Sequence, residues 1–235
     1  KADIKRAGKD VTILTFGAVL YRALKAADEL KEKYGMEAEV IDARTLVPFD
    51  YDTFYASPME LRVGATDCES GECHWFSNRQ QGDDVIADSI ASSSMPLLSP
   101  MKVIGGKRYL DGGVADSIPV RRAYEDGWHK QVVVLTQNEG YVKKPNQMMP
   151  LIRRRYRDYP NLCRAMENRH LNYNESQQFA KELERKGQAV VIRPSKPMVL
   201  HRIEHNVDKL QAAHENGYED ARAAWSRIEQ LFQQQ

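Results

Sequence analysis

A chain of 235 residues with 42% apolar and 29% charged side chains has room for one large or two small domains, and lies outside the disordered and fibrous classes. Lys plus Arg number 34 against 33 Asp plus Glu, so no global field directs the chain to nucleic acid or an anionic membrane. No apolar run approaches the roughly 18 residues that span a bilayer, and the opening KADIKRAGKD lacks the apolar core of a signal peptide. Cys68, Cys73 and Cys163 cannot all pair, so free thiols in a reducing cytoplasm are the expectation.

Residues 10–46 have the pattern of one β-α-β unit. Val11–Phe16 is β-branched and apolar, a buried strand that Gly17 ends. The spacing of Leu20, Leu24, Ala27 and Leu30 predicts a helix over about 18–34, with Lys25, Glu29 and Lys33 as i,i+4 pairs and Gly35 as its cap. Ala38–Ala43 is the second strand, and a crossover of this length makes the two parallel.

Further on, Glu60–Thr66 and Cys73–Phe76 have strand composition around a turn at Asp67–Glu72. Cys68, Cys73 and His74 have no matching second ligand pair, so buried or incidental thiols fit better than a metal site. Asp83–Ser94 predicts a helix capped by Asp83 or Asp84, with a small-residue end suited to close packing.

The stretch Met95–Val120 carries the most chemistry. A Pro-punctuated loop leads to a short strand, Lys107–Leu110, and then to Asp111-Gly112-Gly113. A carboxylate at a strand end, followed by two glycines, is held from behind and open in front, where ligands and catalytic groups of α/β sheets collect. An ordinary Asp-Gly turn is the alternative. Asp116 or Ser117 is placed to cap a helix over Ile118–Asp126, and Gln131–Thr136 has the continuous apolar run of a central parallel strand.

Met148 to Gly187 is mainly helical, interrupted near Pro160. Arg153, Arg154, Arg155 and Arg157 form a cluster that is either a solvated helix face or a contact for phospholipid head groups or another anion. Ala189–Arg193 is the last strand, at a sheet edge. A helix over Val207–Phe232, broken at Asn216-Gly217, closes the sequence. None of the six histidines has an evident nucleophile or carboxylate partner.

Much of this pattern resembles the bacterial patatin-like phospholipases, Ser-Asp dyad acyl hydrolases. The landmarks run in order: FDYDTFYASPMELRVGATDCESGE (49–72), SSSMPLLSP (92–100), RYLDGGVADSIPVRRAYEDG (108–127), VVVLTQNEGYVKKP (132–145), ENRHLNYNE (167–175) and VIRPSKP (191–197). The resemblance spans about 49–232. It implies a three-layer α/β/α fold, with a mainly parallel sheet covered by helices on both faces. It also implies Asp111 as the dyad base, with Gly112 and Gly113 supporting it. A lipid or small ester would be the substrate, with no cofactor, no metal and no nucleic-acid partner.

The first 52 residues resemble a different family. KADIKRAGKD through VIDARTLVPFD is similar to the start of the transketolase C-terminal domain, above all in the β-subunits of thiamine-dependent 2-oxoacid dehydrogenases. In that family the domain mainly supports subunit assembly, and other domains hold thiamine diphosphate, so no cofactor residue carries over. A patatin has a glycine-rich oxyanion loop and a G-x-S-x-G elbow in the corresponding β-α-β unit. Here those positions read Phe16-Gly17-Ala18-Val19 and Asp42-Ala43-Arg44-Thr45-Leu46, and no G-x-S-x-G occurs in the sequence.

The expectation is therefore a chimera that changes character at Pro48–Asp52, with a 1–52 unit and a 53–235 region in one α/β domain. It keeps a hydrolase base but is expected to be inactive or impaired; Thr45 or Thr66 are candidates to stand in for the missing serine, and nothing marks either as activated. A scaffold with no catalysis, or an interaction domain for a dehydrogenase partner through residues 1–50, are the alternatives.

Overall fold

The computed structural model describes residues 3–15, 19–42, 55–80, 82, 84–197, 200 and 204–233. The changeover expected at Pro48–Asp52, the Phe16–Ala18 loop and Thr45 lie outside them. The chain divides into two compact units, Lys1–Arg62 with Ser77–Asp83, and Val63–Phe76 with Asp84–Gln235.

In the first unit, β1 (Asp3–Arg6), β2 (Val11–Thr15), α1 (Val19–Tyr34) and β3 (Ala38–Asp42) build a three-stranded sheet in the order β1-β3-β2. The expected β-α-β unit is present, with β2 and β3 parallel from Val11 opposite Ala38 to Thr15 opposite Asp42. Alanines at helical spacing let α1 lie close to the sheet: Ala23 and Ala27 pack on Ala38 and Val40, with Val11, Ile13, Leu20, Leu24 and Leu30 around them. Gly35 ends the helix in the left-handed region at φ 69°, its N–H donating to Lys31 O. Sequence patterning missed β1, which is four residues long and pairs antiparallel with β3.

The second unit opens with β4 (Arg62–Asp67) and β5 (Cys73–Ser77), joined by a turn. Gly71 adopts φ 76° there and lies against the Asn161 carbonyl. The Asn161 amide in turn donates to Glu69 O at 2.9 Å. Helix α2 (Val85–Ser92) is capped by Asp84, whose side chain accepts from Ile86 N and Ala87 N. Next come β6 (Lys102–Ile104) and β7 (Lys107–Asp111), then α3 (Val120–Glu125) and β8 (Gln131–Val134). They are followed by α4 (Met149–Arg155), α5 (Pro160–Arg185), β9 (Ala189–Ile192) and α6 (Val207–Gln233).

The fold is α/β. Its described strands form three sheets, and parallel pairing is confined to β2/β3 and β8/β9. The four-stranded sheet runs β5-β4-β7-β6, with β7 antiparallel to both neighbours. The short β6 was not anticipated. β8 is not a buried central strand: Gln131 and Val133 are buried while Val132 and Val134 are exposed.

Two apolar clusters hold α5. Its N-terminal half packs Leu162, Cys163 and Met166 against Leu110, Val114, Ile152 and Tyr156. Its C-terminal half packs Tyr173, Ala180 and Leu183 against Ile118, Val133 and Val191. The helical run breaks at 156–159 because a residue before proline is pushed out of the helical region and Pro160 then starts α5 at its first turn.

The expected break at Asn216-Gly217 does not occur, and α6 is continuous through it. Asn216 turns its amide to Asp220 one turn later at 2.9 Å, and its Oδ1 accepts from the Ser195 hydroxyl. One interior glycine costs about 1 kcal/mol, too little to open a 27-residue helix that packs Ala224 and Leu231 onto β9. Glu184 ties the layers together by accepting from Arg193 (2.7 Å) on the strand side and Arg227 (3.1 Å) on α6. No helix among the described residues is long and apolar enough to cross a membrane.

Candidate functional site

Asp111 stands at the end of β7 as expected, opposite Ala65 of β4. Its backbone is fixed on both sides. Its N–H donates to Ser94 O (2.9 Å) at the small-residue end of α2, and its carbonyl accepts from the Thr66 hydroxyl at 2.8 Å. The chain then turns into a single 3-10 turn, Gly112–Val114, which the Asp111 side chain caps by accepting from Gly113 N at 2.8 Å. Among the described residues, the hydrogen bonds of this carboxylate are carried by Oδ1 alone.

The two glycines have different reasons. Gly112 is buried with its Cα on the Gly64 carbonyl, and an added Cβ would overlap that oxygen. Gly64 is itself covered by the Trp75 ring and the Cys73 sulfur, so β4 has no room to retreat. Gly113 faces polar groups: a Cβ there would lie 3.1 Å from Asp111 Oδ1, 3.4 Å from Arg169 Nη2 and 3.7 Å from Ser117 Oγ. The Gly113 carbonyl accepts from Arg169 Nε and from the Ser117 hydroxyl, both at 2.5 Å. Thus a carboxylate, a guanidinium and a hydroxyl gather round one backbone position.

Thr66 is fully buried, and its hydroxyl spans the turn: it donates to Asp111 O and accepts from Ala115 N at 3.2 Å. The sequence left Thr66 open as a stand-in nucleophile. The structure removes it, because its proton goes to the Asp111 carbonyl and not to the carboxylate. Ser117 is likewise committed to a backbone carbonyl. Among the described residues no Ser or Thr hydroxyl donates to the Asp111 carboxylate.

Cysteine offers no substitute. Burial pushes the Cys68 and Cys73 thiols up to about 12, with Asp67 and Asp116 respectively adding repulsion, and burial also raises Cys163. All three are free. A thiol held protonated is a poor nucleophile. Asp116, next to the turn, has its carboxyl raised by burial, while its N–H donates to Gly112 O at 2.9 Å. Neither Asp116 nor Ser117 caps the following helix, since Pro119 occupies that position with no side-chain bond. Among the described residues no group of three His, Cys, Asp or Glu could hold a metal ion.

Sequence reasoning placed Asp111, Gly112 and Gly113 at a strand end, where the structure has them, and missed what clamps them: Thr66, Ser94 and Arg169. Alternation along β4 marks Thr66 only as inward or outward, and nothing local says that its hydroxyl reaches across to β7. Arg169 lies in ENRHLNYNE, a landmark that carried no role.

Comparison with known proteins divides the chain. The family described as "Transketolase, C-terminal domain" matches residues 1–63, and "Domain of unknown function (DUF6363)" matches residues 159–233. The chain is 58% identical over 57 residues to the pyruvate dehydrogenase E1 component subunit beta of Bacillus subtilis (strain 168), covering 24% of this chain and 17% of that protein. With the subunit of the same name from Staphylococcus aureus (strain Mu50 / ATCC 700699) the identity is 51% over 57 residues, with the same shares. The chain thus spans about a sixth of the length of these curated relatives. The transketolase-type match reaches residue 63, so Pro48–Asp52 falls inside it and not at its end. The N-terminal segment is therefore similar to a transketolase C-terminal domain.

The clamp makes a testable distinction. Thr66→Val strands two buried backbone groups and is expected to cost about 1–3 kcal/mol in urea denaturation. Asp111→Asn keeps the oxygen that accepts from Gly113 N and is expected to stay within about 0.5 kcal/mol of the parent. The reverse order would mean that the carboxylate, and not the threonine, holds the turn.

Proposed function

We propose that the region following the N-terminal unit is of patatin-like acyl-hydrolase lineage, and that Asp111 is the base of a Ser-Asp dyad retained without its serine. The two parts of the chain then have separate origins, with the changeover between about residues 49 and 63. In a working dyad the Asp carboxylate takes the Ser proton as Oγ attacks the ester carbonyl carbon, and backbone N–H groups of a glycine-rich loop hold the developing oxyanion. Lipid or small carboxylic esters are the substrate class.

One observation carries the reading: Asp111 is fixed by backbone hydrogen bonds on both sides, yet among the described residues no hydroxyl donates to its carboxylate. No G-x-S-x-G occurs in the sequence and no described hydroxyl is placed for the base to activate, and loss of a nucleophile costs several orders of magnitude in rate. The chain is therefore a hydrolase scaffold of little or no activity.

Intact-mass analysis after fluorophosphonate treatment should find no adduct on the folded protein. An adduct that disappears in Asp111→Ala would overturn the missing-nucleophile half of the reading. The lineage half has its own arm. Replacing residues 1–62 by the opening strand, glycine loop and elbow of a bacterial patatin is expected to give esterase activity that Asp111→Asn lowers by at least about a thousandfold. A folded but inactive replacement would contradict it.

A second reading rests on the 58% identity of the N-terminal segment to a pyruvate dehydrogenase E1 subunit beta. In it, residues 1–63 serve as an assembly surface for a dehydrogenase partner. Size-exclusion chromatography of the chain mixed with the E1 alpha subunit of the same complex tests this reading. Co-elution supports it, and independent elution of the two excludes it.

A further inference from the structure

Between Tyr141 and Arg157 the chain carries six Lys or Arg side chains and no Asp or Glu, although its overall formal net charge is only +1. The structure gives this stretch a defined outer face. Helix α4 is anchored from beneath by Ile152 and Tyr156, both buried in the apolar cluster with Leu110 and Leu162. The Tyr156 hydroxyl also accepts the Leu97 N–H at 2.9 Å. With that side fixed inward, helical spacing turns Leu151 and Arg154 outward, flanked by Met148, Arg155 and Arg157.

The outer face mixes charge with bare apolar surface. Val142 is 66% exposed, and Met148 and Leu151 are each 50% exposed. Arg154 and Arg155 have no ion-pair partner among the described residues, and Arg155 rests over the Tyr156 ring at 5.5 Å. Arg153 and Arg157 reach Glu167 (2.7 Å) and Asp158 (3.7 Å), pairs so exposed that an incoming phosphate can exchange for the carboxylate. The preceding loop is tied to α5, because Lys143 N donates to Asn174 Oδ1 and the Lys143 ammonium stacks on Tyr173.

We propose that this face, Lys144 and Arg153–Arg157 with Val142, Met148 and Leu151, is a peripheral docking surface for an anionic phospholipid membrane. Guanidinium groups suit lipid phosphates, which they bind in a forked geometry. The apolar side chains sit beside them where they can enter the head-group layer. A nucleic acid fits less well. The tyrosines of the stretch are buried or half-buried, so the face offers no exposed aromatic ring for base stacking. The inference does not depend on the hydrolase reading.

Co-sedimentation with vesicles of phosphatidylcholine, alone or mixed with phosphatidylglycerol, tests it on the whole chain. Binding is expected only to the mixed vesicles and should weaken as salt rises. Arg154→Glu with Arg155→Glu should lower the partition coefficient by at least about tenfold. Lys186→Glu with Arg222→Glu changes net charge equally on exposed sites elsewhere and should leave it close to the parent. Leu151→Ser should lower it severalfold with the salt dependence unchanged. Circular dichroism verifies that each variant is folded. No binding to the mixed vesicles, equal binding to both kinds, or equal loss in both charge pairs would overturn the proposal. So would binding to RNA without binding to vesicles.

Discussion

The backbone of Gly112 rests directly on the carbonyl of Gly64, and the rest of the second unit is arranged round that contact. No side chain fits at either position, which brings β4 and β7 close enough for the Thr66 hydroxyl to span the turn. From there Asp111 has no freedom in its backbone. Ser94 O holds its N–H, Thr66 holds its carbonyl, and its own carboxylate closes the 3-10 turn. Arg169 then fastens the turn to α5, the helix that runs through both large apolar clusters. A side chain held this way is already in position, which fits the base role proposed for it.

What the sequence disclosed follows from the range of the forces involved. Short-range rules found Asp111-Gly112-Gly113, the cap at Asp84, the turn at Gly71 and the parallel pair β2/β3, because each depends on residues close in sequence. Elements made by distant partners stayed hidden. β1 and β6 are four and three residues long and exist because an edge of β3 or β7 is available to pair with. Asn216-Gly217 looked like a helix end, but Asp220 and Ser195 take up the Asn216 side chain and the helix continues. Thr66 shows the limit most clearly: as a residue type it was a candidate nucleophile, and only its partners show it to be a structural clamp.

The two ends of the chain carry different kinds of information. Residues 1–63 are similar to the transketolase C-terminal domain, and their β-α-β core is built from packed alanine, valine, isoleucine and leucine side chains. The second unit holds the organised carboxylate and, some way along the chain, the basic outer face of α4. Charge is nearly balanced over the whole protein, while residues 141–157 carry six Lys or Arg and no Asp or Glu. Composition alone could not have revealed this, since the same residues dispersed over the surface would give the same net charge and no local cluster.

The central claim is that the Asp111 turn is preformed and rigid. Amide hydrogen exchange at Gly113 and Ala115, whose N–H groups donate to Asp111 Oδ1 and Thr66 Oγ1, tests it most directly. The account predicts that both exchange as slowly as the buried strand amides of β7, opening only with the unit as a whole. Exchange at the rate of an exposed loop would mean that the carboxylate is not held in place, and the turn would then be an ordinary Asp-Gly connection.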